Sequence, residues 1–172
     1  MSTELRILEL LERFRFLTRP QLHRAGVVCS ADHLGDVLRS LERRRYVGAV
    51  RSAVAPGVGR LPFVYYLREP GAAAVAEANR LDLETLTWCE GTPQLTHDLE
   101  HRSACVDVHL WLVDVLGSAL ASFWPYYTMT NTKEGMRHAS RMVVDGKAFV
   151  PDALFTVEKS GQRFGYVLEV QR

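Results

Sequence analysis

The fold of the N-terminal half is decided by residues 30–45, SADHLGDVLRSLERRR. Ser30 can cap a helix in which apolar residues recur at i, i+3, i+4 and i+7, namely Leu34, Val37, Leu38 and Leu41. The opposite face is polar and mostly basic: it carries His33, Asp36, Arg39, Ser40 and Arg43, and the chain then continues into Arg44 and Arg45. This spacing predicts a helix with one face in a hydrophobic core and a basic face toward solvent.

Two further helices are predicted upstream of this one. The first is about three turns long, and its apolar stripe consists of Ile7, Leu10, Leu11, Phe14 and Leu17. The second is the short segment Gln21–Ala25, with Thr18 as its cap, Pro20 in its first turn and Gly26 at its end. A short helix joined tightly to a helix with a basic outer face is the helix-turn-helix plan, in which the second helix enters the major groove of DNA.

A β-hairpin is predicted directly after the basic helix. Tyr46–Arg51 and Leu61–Leu67 are rich in β-prone residues, and the turn-rich stretch APGVG, residues 55–59, separates them. A hairpin in this position is the wing of a winged helix. The predicted DNA contacts are Arg19, Gln21, Arg39, Ser40, Arg43, Arg44, Arg45, Arg51 and Arg60. The alternatives are a three-helix bundle with a solvated basic face, and a winged helix that binds protein.

The net charge of +1 conceals two halves of opposite sign. Residues 1–69 contain twelve Arg, no Lys and seven Asp or Glu, which gives +5, whereas residues 70–172 contain nine Lys or Arg and thirteen Asp or Glu, which gives −4. Glu69-Pro70-Gly71 is expected to break the chain before a short helix, Ala72–Asn79. We therefore predict a DNA-binding domain at 1–80, a linker at 81–94 and a second domain at 95–172.

Composition excludes several classes of protein. The chain is 47% hydrophobic and 24% charged, which argues against disorder. No apolar run reaches the roughly 18 residues that a membrane-spanning helix needs, so a cytoplasmic protein without a membrane partner is expected. The three cysteines, Cys29, Cys89 and Cys105, form no CxxC pair, and we expect them to be small buried residues rather than a disulfide framework.

The second half opens with a long helix, predicted from Thr96 to about Gly117 and apolar enough to be largely buried, Val113 included. Its first turn, His97-Asp98-Leu99-Glu100-His101, matches the H-x-x-E-H pattern of inverted zinc metalloproteases. A five-residue pattern arises easily by chance, and no third ligand has a motif of its own. The favoured interpretation is therefore that the histidines cap the solvent end of a buried helix, on the side of Cys105.

A second hairpin predicts a pair of facing carboxylates. Leu120–Met129 is β-prone, Thr130–Arg141 is expected to be a loop, and the strand-like runs Ala148–Val157 and Phe164–Gln171 flank a Ser160-Gly161 turn. This register places Asp152 opposite Glu169, where two like charges are unfavourable without a cation such as Mg²⁺ or Mn²⁺. The alternative is an edge hairpin with two solvated acids.

The arrangement resembles the PD-(D/E)xK nuclease core, in which an Asp and a Glu on adjacent strands hold the metal and a Lys activates water. Asp152, Glu169 and Gln171 are the corresponding catalytic candidates, and Asp152 and Glu169 the metal ligands. Gln171 stands at the lysine position and offers no positive charge to the developing anion. We therefore expect a degenerate core rather than an active enzyme.

The chain as a whole resembles the replication-relaxation family. The resemblance rests on the predicted winged helix, on Leu95–His101 leading into Val106-Asp107-Val108, and on Val150–Phe155 followed by Tyr166–Arg172. It implies an α+β protein, a winged helix-turn-helix followed by a nuclease-like half with a long helix and an antiparallel hairpin. His97 corresponds to the family's His. Family members carry an Asp at position 171 and continue beyond it, so a missing C-terminal tail is expected.

The resemblance also implies a function. We expect a double-stranded DNA-binding accessory protein of plasmid replication, DNA relaxation or conjugative mobilisation, acting as a homodimer with a relaxase or a replication initiator as partner. Two alternatives stay open: a metal-dependent DNA endonuclease that uses Asp152 and Glu169, and a winged-helix transcriptional repressor.

Overall fold

A computed structural model describes residues 2–27, 30–51, 63–93, 98–132 and 135–171. The chain divides into two compact units, Met1–Thr96 and His97–Arg172, which we call unit 1 and unit 2. Both contain helices and antiparallel sheets, so the mixed α and β character predicted from the sequence is confirmed. None of the helices in the described ranges combines the length and the apolar character needed to cross a bilayer.

The described residues of unit 1 contain four α-helices: α1 (Thr3–Phe14), α2 (Arg19–Arg24), α3 (Ala31–Arg43) and α4 (Glu69–Asn79). The Ser2 hydroxyl begins α1 by accepting a hydrogen bond from the Leu5 N–H at 3.2 Å. A capping box begins α2, because the Thr18 hydroxyl accepts from the Gln21 N–H while the Gln21 side chain accepts from the Thr18 N–H. The predicted helix starts at Thr18 and Ser30 are confirmed.

In the part of unit 1 that the structure describes, three short strands form a sheet: β1 (Phe16–Thr18), β2 (Val47–Arg51) and β3 (Phe63–Leu67). The order is β1-β3-β2, and both pairings are antiparallel. The predicted pairing of the two strands after α3 is confirmed, with Val47 opposite Leu67. The tip of that hairpin, residues 55–59, lies outside the described residues. Strand β1 was not predicted, because three residues are too few to show a period.

Most residues of the predicted apolar stripes lie in the core of unit 1, but Val37 is only half-buried and Leu17 lies on β1 and not on α1. The buried residues of α1 and α3 are Ile7, Leu8, Leu10, Leu11, Phe14, Leu34, Leu38 and Leu41. The break predicted at Glu69-Pro70-Gly71 is wrong, because α4 begins at Glu69. A proline in the first turn of a helix costs no hydrogen bond, since the N–H groups there have no partner within the helix.

Glu12 on α1 makes the stability of unit 1 depend on pH. Burial raises the pKa of Glu12 above its ordinary 4.5, and the Thr87 N–H with Arg15 and Arg13 lowers it by less. The folded state therefore holds this proton more tightly than the unfolded state, and stability falls as pH rises above 4.5. We expect Glu12→Gln to match wild type below pH 4.5 and to be more stable at neutral pH, measured by urea unfolding across that range. The exposed Glu84→Gln is the control, and an equal change there would contradict the prediction.

Unit 2 begins with one long helix, α5 (Asp98–Leu116), and continues as strands. These are β4 (Leu120–Pro125), β5 (Met129–Thr132), β6 (Gly135–His138), β7 (Met142–Val144), β8 (Lys147–Phe149), β9 (Ala153–Lys159) and β10 (Gln162–Leu168). A three-stranded sheet has the order β10-β9-β4, while β5 pairs with β6 and β7 with β8. All these pairings are antiparallel.

The structure corrects two predictions in the strands of unit 2. The loop predicted at Thr130–Arg141 contains the β5-β6 hairpin, because backbone pairing needs no apolar side chains. The strand predicted at Ala148–Val157 is divided into β8 and β9, and the interruption contains Pro151, which has no N–H to donate to a ladder. The β7-β8 turn is Asp145-Gly146 with both φ angles positive, which is the favoured backbone conformation of a two-residue hairpin turn.

Helix α5 is buried on one side only. Leu112 forms a core with Phe123 of β4 and Ala153 of β9, and His109 stacks on Phe123 with ring centroids 3.9 Å apart. Trp111, Val113 and Val115 are exposed. The expectation of a largely buried helix that includes Val113 is therefore wrong for its last turns, since the three-stranded sheet covers one face of the helix.

Candidate functional site

The outward face of α3 carries two arginines one turn apart. Arg39 and Arg43 are both exposed, and their i, i+4 spacing puts them on the same side of the helix. Arg39 is hydrogen-bonded to Asp36 one turn earlier, and this pair is exposed, with 71% of the Arg39 side chain accessible. Within the part of the chain that the structure describes, Arg43 forms no ion pair. Ser40 lies beside them, partly buried.

Arg44 and Arg45 follow the end of α3 and differ in their surroundings. The Arg44 guanidinium lies 2.6 Å from the Glu4 carboxylate and 4.8 Å from the centre of the Tyr46 ring. The hydrogen bond to Glu4 raises the pKa of Arg44 and joins the end of α3 to the first turn of α1. Arg45 is exposed, with a positive φ of 60°, and has no ion pair among the described residues. Arg44 is therefore partly a structural residue, and the Arg45 charge is open to solvent.

Arg19 and Gln21 hold α2 in place. Arg19 donates to the Ala31 carbonyl at the start of α3, and its guanidinium lies 3.8 Å from the Asp32 carboxylate. Gln21 is only 4% exposed, and its side-chain oxygen accepts from the Thr18 N–H at 2.9 Å. The structure thus gives Gln21 a capping role where the sequence suggested a DNA contact, since a buried side chain cannot reach DNA without leaving its cap.

The two arginines predicted on the wing are only partly described. Arg51 is the last residue of β2 and pairs with Phe63 of β3, while the direction of its side chain is outside what the structure describes. Arg60 lies outside the described residues. Both stay predictions as DNA contacts. On β3, burial raises the pKa of Tyr65, so its hydroxyl stays neutral and can form hydrogen bonds.

In unit 2, the side chain of Asp152 is fixed from two sides. One carboxylate oxygen, Oδ1, lies 2.6 Å from Nε2 of His101 on α5, and the other, Oδ2, accepts from the Val170 N–H at 2.6 Å. The backbone is also held: the Asp152 carbonyl accepts from the Tyr126 N–H at 2.9 Å. The Ser140 hydroxyl, fully buried, donates to the preceding Pro151 carbonyl at 2.7 Å. The carboxylate therefore has a defined orientation.

Cys105 completes a cluster around this carboxylate. It lies one helical turn after His101 on α5, and one ligand atom from each of His101, Cys105 and Asp152 falls within 4.8 Å of the others. Cys105 is fully buried, while the side chains of His101 and Asp152 are 17% and 16% exposed. Part of this cluster could be found from the spacing, because His101 and Cys105 share one face of the helix at i, i+4. His97, the other histidine of the motif, lies outside the described residues.

The predicted facing carboxylates rest on a hairpin register that is confirmed. Gln162 pairs with Lys159 and Leu168 with Ala153, as a Ser160-Gly161 turn requires. The ladder ends at that last pair, one position before Asp152 and Glu169. Asp152 then directs its carboxylate at His101 and at the Val170 N–H, while Glu169 and Gln171 are exposed. A shared Mg²⁺ or Mn²⁺ at Asp152 and Glu169 stays a prediction.

Comparison with known proteins identifies a family. The family model described as replication-relaxation matches residues 8–172, nearly the whole chain. No curated protein and no solved structure matches it.

Proposed function

The chain belongs to the replication-relaxation family, and from this premise we propose that it binds double-stranded DNA through α3 as an accessory protein of plasmid replication or plasmid DNA relaxation. Membership itself suggests the replication or relaxation role. The mode of DNA binding is our proposal, and it is supported by the basic face of unit 1.

The observation that carries the proposal is the pair Arg39 and Arg43 on the outward face of α3. The order α1-β1-α2-α3-β2-β3, with β3 pairing both β1 and β2, supports the proposal that unit 1 is a winged helix. In a helix-turn-helix, the second helix is the one that enters the major groove. The side chains that would reach DNA first are therefore those on the exposed face of α3.

Acidic side chains stand among the arginines of this face and are expected to weaken its attraction for phosphate. Asp36 pairs with Arg39, and Asp32 lies near Arg19, so two acids stand among the arginines. Exposed pairs of this kind contribute at most about 1 kcal/mol, so a phosphate can replace Asp36 as the partner of Arg39 at little cost. The Asp36 carboxylate then remains next to the phosphate, and the repulsion between these two negative charges weakens DNA binding.

Several finer expectations belong to this proposal. Conjugative mobilisation, a relaxase or replication initiator as partner, and a homodimer stay predictions. A transcriptional repressor would use the same face of α3 at a different DNA site. The endonuclease alternative has less support, because the Asp152 carboxylate is directed at His101 and the Val170 N–H and not at Glu169, which is exposed.

A test of the proposal is to remove the opposing acid. We expect the wild-type protein to bind duplex DNA with an affinity that falls steeply with salt, and Asp36→Asn to bind about 3–10 times more tightly, since an exposed charge near a phosphate is worth about 1 kcal/mol. Fluorescence anisotropy with a labelled duplex at several salt concentrations measures the salt dependence of the wild-type protein and the affinity of Asp36→Asn.

The matched control is Asp145→Asn, which removes the same charge from an exposed turn of unit 2. The control should leave the affinity unchanged. Equal tightening in both variants would show a general charge effect, and no salt-dependent binding by the wild-type protein would refute DNA binding through α3.

A further inference from the structure

We propose that His101, Cys105 and Asp152 bind one zinc ion. The three side chains come from two places in unit 2: His101 and Cys105 from the first turns of α5, and Asp152 from the residue just before β9. Their nitrogen, sulfur and oxygen atoms lie within 4.8 Å of one another. The site is independent of the proposed DNA-binding face, which lies in unit 1.

The helical spacing presents two of the ligands to one point. Residues four apart on a helix lie on the same face with Cβ atoms about 5–6 Å apart, which is the spacing of paired ligands in helical zinc sites. His101 is part-buried and Cys105 is fully buried beneath it. The side of α5 that carries them faces the carboxylate of Asp152.

Asp152 has the support that a metal ligand needs. Its Oδ2 atom accepts from the Val170 N–H, and its backbone carbonyl accepts from the Tyr126 N–H. Hydrogen bonds of this kind fix a ligating carboxylate in one orientation and are a regular part of metal sites. They leave Oδ1, the atom nearest His101, as the oxygen directed into the cluster.

The donor set selects zinc over magnesium. A thiolate and an imidazole are the ligands of borderline-soft ions such as Zn²⁺, whereas Mg²⁺ takes oxygen ligands only. Ligand atoms around a tetrahedral zinc lie about 3.3–3.6 Å apart, given bonds of about 2.0–2.3 Å. The His101–Asp152 contact of 2.6 Å must open, and the widest separation of 4.8 Å must close, each by about 1 Å.

Proton balance follows from the same contacts. To bind the ion, His101 must be a neutral imidazole with its proton on Nδ1 and Nε2 free, and the Cys105 thiol must release its proton to solvent, because sulfur ligates as a thiolate. Zinc binding therefore releases protons, and its affinity falls as the pH is lowered. Three protein ligands leave the fourth tetrahedral position for water, as in zinc sites that remain open.

The test uses Co²⁺, which takes zinc's geometry and absorbs light. The full-length protein, stripped with a chelator, is titrated with Co²⁺ and then with Zn²⁺. We expect a thiolate-to-cobalt charge-transfer band in the near ultraviolet and tetrahedral bands in the visible, both abolished by a stoichiometric amount of Zn²⁺. Cys105→Ser should lose the charge-transfer band, and the control Cys89→Ser, at a partly exposed cysteine of unit 1, should keep it.

Cys105→Ser changes a fully buried side chain, so two further variants test the site at side chains that are only partly buried. His101→Ala and Asp152→Asn change part-buried side chains, and each should weaken Zn²⁺ binding at least tenfold by isothermal calorimetry, with the exposed His33→Ala as the control. Circular dichroism establishes that each variant is folded. The proposal fails if Co²⁺ produces no charge-transfer band, if the band survives in Cys105→Ser, or if Mg²⁺ competes as well as Zn²⁺.

Discussion

Replacing Arg39 and Arg43 together by alanine is expected to weaken the binding of duplex DNA roughly sixtyfold near 0.1 M salt. Each phosphate contact contributes about 0.9 to the slope of log affinity against log salt, so that two contacts are worth about 1.8 log units at that concentration relative to 1 M. The slope should also become shallower by about 1.8. Both changes are read from fluorescence anisotropy of one labelled duplex over a range of salt.

The control for this prediction removes the same charge elsewhere. Arg141→Ala with Arg163→Ala takes two exposed arginines from unit 2, where Arg163 pairs with Glu158. It should leave both the affinity and the slope unchanged. If both double variants weaken DNA binding equally, the loss of affinity is caused by the lower net charge and not by the loss of side chains on α3. The proposed DNA-binding face is then wrong.

Arg44→Ala separates phosphate contact from support of the fold. Its guanidinium is engaged by Glu4 and lies over Tyr46, so its removal should cost stability more than affinity. This contrast between neighbouring arginines follows from the structure, because the sequence shows only three consecutive arginines at positions 43–45.

Gly71→Ala is expected to destabilise the protein by about 1–3 kcal/mol, the usual cost of overpacking a well-packed site. A Cβ atom at this position would lie 2.3 Å from the carbonyl oxygen of Tyr46 and 2.8 Å from a methyl group of Leu67. The Tyr46 carbonyl is fixed next to Gly71 by a backbone hydrogen bond, because it also accepts from the Arg68 N–H at 3.1 Å. The midpoint of urea unfolding measures the loss.

The sign of the stability change in Gly71→Ala distinguishes the effect of close packing from the effect of helix propensity. Alanine is the better helix former by about 1 kcal/mol, so helix propensity alone predicts that Gly71→Ala stabilises α4. Ala73→Gly, at an exposed position of the same helix, measures the propensity contribution by itself. If Gly71→Ala stabilises by the amount that Ala73→Gly loses, the close contact with Tyr46 does not exist in solution.

Much of unit 1 could be predicted, because its elements carry local signals. The stripe from Leu34 to Leu41 has a helical period that only a helix can bury on one side, and Thr18 with Gln21 forms a capping box that can be read from spacing. Strand β1 could not be predicted, since Phe16–Thr18 is defined by its pairing with β3, almost fifty residues later.

The cluster at Asp152 shows the corresponding limit for function. The hairpin register was predictable from Ser160-Gly161, and it placed Asp152 near the end of β10. What the sequence could not show is that α5 brings His101 and Cys105 to the same carboxylate, because this depends on how the helix packs on the sheet. Carboxylate repulsion suggested Glu169 as the partner of Asp152, whereas the Asp152 carboxylate instead contacts an imidazole and a backbone N–H.

The hydrogen bonds around Asp152 also bear on how unit 2 folds. They join residues that are far apart along the chain: 51 positions separate Asp152 from His101, and 18 separate it from Val170. Contacts between distant residues form after local ones, because the entropy of closing the chain must be met first. We therefore expect the β9-β10 hairpin to form before the contact between Asp152 and His101 of α5. The Val170 N–H reports the closure of this hairpin, since its exchange with solvent deuterium requires the hydrogen bond to the Asp152 carboxylate to open.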